Sequence, residues 1–456
     1  MIPRKQLIAM AVLTVFIVAL VFVAVKAPRA VLFTPASGST QMDPRETFQI
    51  RFTQPMRTDS VASHLSISPD IQGEITWSGN TLTFTPSESW PEGTTVQVRL
   101  EAGCRSQLGL WVAWPSAWNF TTRHSWLLFL LADNDRPDLY RLDPITEKID
   151  LLVKTNHGIN DFSVNATEPR VLYSAVNDAG GSDIHSLRLD DRQTALVLSC
   201  GASTCTSPRI SADGKVMAYI RREKPVSGQS LAAQVWLRPA AAAADQPGTQ
   251  ATLIKLDALY LSWSSSNTLV YYDQSRKGFV LLDETGKESG FIIDATGEPG
   301  TWSEAGYIFP DILYADPSDS ASASQPGYTS HLFLFSLATR KKTDLTGNHS
   351  VEDLNPTLSP DGKRIAFARR YTDAAHWTPG RQLWVMDSDG TNSHPLTDDT
   401  VYNHTGIAWS PDNEHLAFIR FNTANLNETM ELWLIHATTG ISSKVLVAGY
   451  DPQWVP

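Results

Sequence analysis

Three stretches of this chain repeat one pattern. Ser359-Pro360-Asp361-Gly362 leads into Ile365-Ala366-Phe367-Ala368, then Leu383-Trp384-Val385-Met386-Asp387, then Pro395-Leu396-Thr397. Ser410-Pro411-Asp412-Asn413 leads into Leu416-Ala417-Phe418-Ile419 and Leu432-Trp433-Leu434-Ile435. Ser211-Ala212-Asp213-Gly214 leads into Val216-Met217-Ala218-Tyr219-Ile220 and Val235-Trp236-Leu237. The first two copies start about 50 residues apart. A period of that size, holding several short apolar strands, is the mark of a β-propeller. Propellers are platforms whose activity lies in their loops, so the repeat constrains architecture far more than function.

Six complete four-stranded blades can be laid out, beginning near Ile159, Ser207, Tyr260, Gly300, Asn355 and Thr405. Ahead of them, Leu127–Leu131, Leu139–Leu142 and Ile149–Val153 supply only three strands. Asp451-Pro452-Gln453-Trp454-Val455 reads as the innermost strand of another blade, and we expect it to complete the first. Such closure leaves no open edge in the ring. The expected count is about seven, with six or eight as alternatives. The repeated motif has a turn chemistry of its own: Pro presets φ, Asp bonds nearby backbone, and Gly accepts a positive φ. Asp213, Gly214, Asp361, Gly362 and Asp412 are therefore expected to form turns, not to catalyse. The strand tryptophans are expected to fill space between blades.

Residues 1–29 hold an almost wholly apolar run, Leu7 to Val25, with Arg4 and Lys5 before it and Lys26 and Arg29 after it. At about 1.5 Å per residue such a run spans a bilayer core. Val25-Lys26-Ala27 is a poor cleavage site, so an uncleaved signal anchor with a short cytoplasmic tip is expected, a cleaved signal being the alternative. Residues 30–123 alternate apolar with polar in short runs such as Phe48-Gln49-Ile50-Arg51-Phe52 and Val96-Gln97-Val98-Arg99-Leu100, as a β-sandwich requires. Residues 124–456 make the propeller. The fold class is thus all-β behind a membrane helix.

Two segments carry a resemblance. Phe52-Thr53-Gln54-Pro55-Met56 followed by Ser60-Val61, the stretch Trp77 to Pro86, and the closing Phe120-Thr121-Thr122 resemble bacterial Ig-like domains of the SbsA type. This implies a spacer or stalk. The Ser-Pro-Asp-Gly motif with its continuation from Leu383 through Thr397 resembles the propeller domain of the TolB family. That resemblance implies a protein or peptide partner at the propeller mouth. With the apolar run Leu7 to Val25 as anchor, the expectation is a single-pass protein of a bacterial cytoplasmic membrane, its bulk extracytoplasmic.

A formal net charge of -11 argues against nucleic acid as the main partner, since phosphate binding needs a clustered basic surface. Of three cysteines, Cys200 and Cys205 enclose a short polar segment, where a loop disulfide is expected in an exported protein. Cys104 is expected to be a small apolar filler. The sequence holds no G-x-S-x-G, H-E-x-x-H, phosphate loop or dinucleotide fingerprint, so neither a catalytic residue nor a cofactor is assigned. No second CxxC or His pair points to a metal.

Asn156-His157, Asn348-His349 and Asn403-His404 sit at equivalent positions before innermost strands, with Asp161 and Asp353 a few residues on. Their imidazoles either converge on a ligand in the mouth or are ordinary loop chemistry. Loops between second and third strands are long at Asn177–Ser182, Arg222–Ala233, Pro317–Tyr328, Tyr371–Arg381 and Asn422–Met430. By strand alternation they emerge on that same face, which would carry His376, Trp377, Tyr402 and His404. Loops gathered on one face mark a binding rim or are drift. The expected function is a membrane-anchored binding or scaffold protein for a protein, peptide or glycan. The alternatives are a propeller lyase or hydrolase with a His/Asp site in the mouth, and a structural spacer.

Overall fold

The computed structural model describes residues 27–133, 136–165, 170–224, 232–240, 251–283, 285–294, 296–314, 328–348 and 350–455. The apolar run before Lys26, the whole of the loop 317–327 and His349 lie outside the described residues. Among the described residues no helix is long and apolar enough to cross a membrane. The chain divides into two compact units, Met1–His124 and Ser125–Pro456.

The first unit runs β1 (Ala30–Thr34), β2 (Ser39–Met42), β3 (Phe48–Phe52), α1 (Thr58–Ala62), β4 (Leu65–Ser68), β5 (Gly73–Ser78), β6 (Thr81–Pro86), β7 (Thr95–Leu100) and β8 (Ser116–Thr122). Two sheets form, ordered β1-β3-β6-β5 and β2-β8-β7-β4. The period-2 pattern explains them. Phe48, Ile50 and Phe52 are buried and Gln49 and Arg51 exposed, while Val96, Val98 and Leu100 do the same on the facing sheet. Phe84, Trp90 and Phe120 join them in one core, each such side chain contributing about 1.5–3 kcal/mol by burial. Cys104 is free and buried in that core.

The two ends of this sandwich differ. At one end Ala30 faces Phe52, and the Thr53 amide donates to the Arg29 carbonyl at 2.9 Å. Loops 53–64 and 101–115 belong to this end, joined where the Gln107 amide donates to the Pro55 carbonyl at 3.0 Å. At the other end β8 runs out, and the Arg123 amide donates to the Met42 carbonyl at 2.8 Å. The chain therefore enters the sandwich at one end and leaves it at the other.

The second unit is a ring of seven four-stranded blades. The innermost strands are Gly449–Val455, Ile159–Val164, Thr204–Ile210, Ala258–Trp263, Thr301–Ser303, Val351–Leu358 and Tyr402–Trp409, for blades one to seven. Blade one is closed as the sequence implies: Gly449–Val455 pairs antiparallel with Trp126–Asp133, behind which stand Arg136–Leu142 and Ile149–Val153. Blades two and three are also stitched into one continuous sheet by a parallel pair, Ser182 with Thr204. Gly181 permits that approach, because a Cβ there would stand 2.3 Å from two carbonyl oxygens, of Gly201 and Ser203. Cys200 and Cys205 are joined by a disulfide beneath it.

The repeated motif does form turns. Ser359 Oγ donates to Asp361, the Lys363 amide donates to the same carboxylate at 3.2 Å, and Gly362 has φ +71°. Ser211-Ala212-Asp213-Gly214 repeats the arrangement, and Asn413 takes the glycine position of the third copy at φ 65°. That asparagine adds a tie between blades, since Asn413 Oδ1 accepts the Asp361 amide at 2.8 Å. Asn267 accepts the Asp213 amide in the same way at 3.0 Å. Ser264-Ser265-Ser266-Asn267 is thus a fourth, degenerate copy. The strand tryptophans also link blades. The indoles of Trp263, Trp409 and Trp454 donate to the carbonyls of Arg209, Thr357 and Ala408 on the preceding innermost strands, at 3.2, 3.1 and 3.1 Å.

Candidate functional site

Apart from Thr204–Ile210, which is stitched to blade two, each innermost strand is the free edge of its blade, and most innermost strands break their ladder at one place. Ser207, Tyr260, Asn355, Gly406 and Asp451 have φ between 52 and 56°, each beside a register shift. Pro208, Pro356 and Pro452 follow three of them, tolerable because an edge strand needs no donor on its open side. Polar side chains gather beside some of these bulges. There Asp161 Oδ2 accepts the Ser207 amide at 2.7 Å and its hydroxyl at 3.2 Å. Burial pushes the Asp161 carboxyl up, with Arg209 and Ser207 pulling the other way. Burial raises Asp451 too; Arg209 and Gln453 oppose it and Asp161 adds to it. Blades one, two and three thus bring two carboxylates and one guanidinium together. Sequence reasoning singled out Asp161 but not Asp451 or Arg209, because Asp451 is 290 residues from Asp161 in the chain.

Of the three Asn-His positions, the two described histidines, His157 and His404, have separate partners. His157 Nε2 is 2.7 Å from Asp178, a neighbour in its own blade. His404, expected at the mouth, is instead wholly buried, with Nδ1 2.7 Å from the Arg381 carbonyl and its ring against Phe418. Burial depresses it to about 4, so it is neutral near pH 7. Asp353, also expected to face a ligand, is wholly buried and held bidentately by Arg369 at 2.7 Å through both nitrogens, with the Thr346 hydroxyl at 2.8 Å. The physical reason is packing: the strand register at these positions points the side chain between sheets. Among the described residues no group of three or more His, Cys, Asp or Glu is placed to hold a metal ion.

The rim over blades six and seven is densely bonded. Loop 372–381 leans on the approach to the next blade. The Gly380 amide donates to the Thr400 carbonyl at 3.0 Å, the Arg381 amide to Asn403 Oδ1 at 3.1 Å, and the His404 amide to the Arg381 carbonyl at 3.0 Å. The Arg381 guanidinium reaches Glu352 at 2.8 Å, and Arg370 holds the same carboxylate. Burial alone would raise Glu352, but Arg381 and Arg370 outweigh it and keep it below the usual range. In blade seven Arg420 bridges Glu431 and Asp399 beneath the Tyr402 ring. Tyr402 donates to Glu428 at 2.7 Å, which raises its own hydroxyl. His376 Nδ1 is 2.8 Å from Asp373, and its ring packs on Tyr371. The structure therefore brings His376, Trp377 and Tyr402 to one rim. Over this framework Trp377, Val401, Leu426 and Met430 stand exposed, Trp377 at 55%. The arginine–carboxylate pairs were not legible in sequence, because their partners lie on different strands or blades.

Residues 24–122 match the bacterial Ig-like domain family. Over 157 residues, 34% of the chain, it is 27% identical to dipeptidyl-peptidase 5 of Porphyromonas gingivalis, and the match spans about a fifth (21%) of that protein's length. Solved structures similar to the chain include TolB from Acinetobacter baumannii, at 12% identity and TM-score 0.44, covering 86% of this chain and 83% of that one. The β-propeller domain of the trilobed protease from Pyrococcus furiosus is similar at 9% identity and TM-score 0.46, covering 79% and 95%. The chain thus pairs a bacterial Ig-like domain with a propeller.

Proposed function

We propose that this protein is a membrane-anchored extracytoplasmic receptor or scaffold whose propeller binds a peptide or protein segment on the rim of blades six and seven. The apolar run 7–25 would be its single-pass anchor and the Ig-like domain its stalk. One observation carries the reading. Exposed Trp377, Val401, Leu426 and Met430 sit on loops already fixed by hydrogen bonds and ion pairs, so binding there would cost little ordering entropy. Exposed aromatic and Met side chains beside arginines are the composition of binding hot spots.

The test is capture from native envelope extract on the purified chain, compared with a Trp377→Ala/Leu426→Ala variant. Both side chains are solvent-exposed, so the variant should keep the wild-type unfolding profile and lose at least about tenfold in retention of its partner, as for paired hot-spot truncations. Equal retention by both proteins would move the binding surface off this rim. The dipeptidyl-peptidase relative supports a second reading, a hydrolase. Release of chromophore from dipeptidyl substrates, abolished by Asp161→Asn, would favour that reading over a receptor.

A further inference from the structure

Five large apolar side chains are exposed among the described residues of the first unit: Val31, Leu32, Leu108, Trp111 and Trp114, at 52%, 48%, 78%, 54% and 62%. All five lie at the end of the sandwich where the chain enters. Val31 and Leu32 open β1. Leu108, Trp111 and Trp114 are on loop 101–115, whose position is fixed by several bonds. The Arg57 amide donates to the Arg105 carbonyl at 2.9 Å, the Arg105 amide donates to Ser60 Oγ at 3.0 Å, and Arg105 bridges Trp111. From Thr53, bonded to Arg29, to Pro55, bonded to Gln107, is two residues, about 7 Å along an extended chain. At the opposite end the large aromatic, Trp90, is buried and donates to the Glu46 carbonyl at 2.9 Å. The apolar exposure is thus confined to one end.

No linker separates this end from the apolar run. Ala27 is already buried and the Arg29 amide is held by Thr53 Oγ1 at 3.1 Å. From Val25 to Ala27 the chain reaches at most about 7 Å. A module so tethered rests against the bilayer, and indole rings favour the headgroup layer, where one edge is apolar and the other wet. Exposed Arg57 and Arg105 share this end, with Asp59 and Glu101 as its acids.

We propose that this end is a membrane foot: Leu108, Trp111 and Trp114 insert into the headgroup layer of the bilayer that holds the anchor. The proposal rests on the reading of residues 7–25 as an anchor. Its consequence is an upright module, its outgoing strand rising about 23 Å from the surface over the seven residues of β8.

The test uses the full chain in vesicles of phosphatidylethanolamine and phosphatidylglycerol. An environment-sensitive nitrobenzoxadiazole dye is attached at Leu108→Cys, at Trp114→Cys, and at Glu88→Cys on the opposite end. Native thiols will not interfere, because Cys200 and Cys205 are bonded and burial pushes Cys104 up to about 11. Blue-shifted dye at 108 and 114, quenched by lipid-borne nitroxide, with solvent-like dye at 88, is the expected result. Solvent-like dye at all three positions on a chain that resists alkaline washing overturns the foot and leaves the anchor standing. A blue shift without lipid quenching also overturns it, by assigning the patch to a protein. Release of the chain by alkali overturns both readings.

Discussion

At the residue scale, His404 shows how far burial can redirect an apparent functional group. Its folded value near 4 lies below the ordinary value of 6.5, so at intermediate pH the unfolded chain binds the extra proton. Stability is therefore full above about pH 6.5 and falls as pH drops toward 4. The difference corresponds to about 3 kcal/mol at most, from 1.36 kcal/mol per unit. Chemical denaturation across that range should show a decline that His404→Gln removes; equal slopes in both proteins would mean His404 is not the titrating group. Little of this was legible in sequence. Asn403-His404 looks like Asn156-His157, yet one imidazole is walled in by Phe418 and the other reaches Asp178 at the surface. The turn aspartates were legible, because Asp361 and Asp213 act within two residues of themselves. Asp451 beside Asp161 was not, since only ring closure makes them neighbours.

At the element scale the informative unit is the tie between successive blades. Blades two and three are joined where Asn177 Nδ2 donates to the Gly201 carbonyl at 2.8 Å and Ser182 Oγ to the Cys205 carbonyl at 2.9 Å. The disulfide closes the short loop that presents both acceptors. Replacing Cys200 and Cys205 by serine should cost about 2 kcal/mol by the loop-closure relation. Urea unfolding should show the loss, and hydrogen exchange should place it in the strands flanking Gly181. A loss spread evenly over all blades would argue against a local stitch. The sequence exposed this loop by its cysteines but not its target, because Asn177 and Gly181 carry no signal beyond ordinary turn chemistry. Blade four hid its turn in Ser264-Ser265-Ser266-Asn267, which keeps the hydroxyl and the left-handed residue while dropping Pro and Asp.

At the scale of the whole molecule, the ring depends on a strand from the far end of the chain. Trp454 and Val455 face Leu127 and Trp126 across the ladder, Gln453 donates to the Phe162 carbonyl in blade two at 3.0 Å, and Trp454 reaches Ala408 in blade seven. Removing residues 449–456 would expose Leu127, Leu128 and Leu130, all now buried, and open both neighbouring interfaces. Calorimetry should then show a lower and broader transition for the propeller while the Ig-like transition is unchanged. An unaltered propeller transition would mean that six blades close without the seventh. Blade boundaries were legible from strand spacing, and so was this closure, because an unpaired edge in a ring demands a partner.

That dependence has a timetable. The outer strands of blade one leave the ribosome about 300 residues before their partner, at 449–455. At about 5–20 residues per second the wait is some 15–60 s. Throughout it the strand Trp126–Asp133 offers an apolar edge, so a waiting chain can accept the closing strand of a finished copy in place of its own.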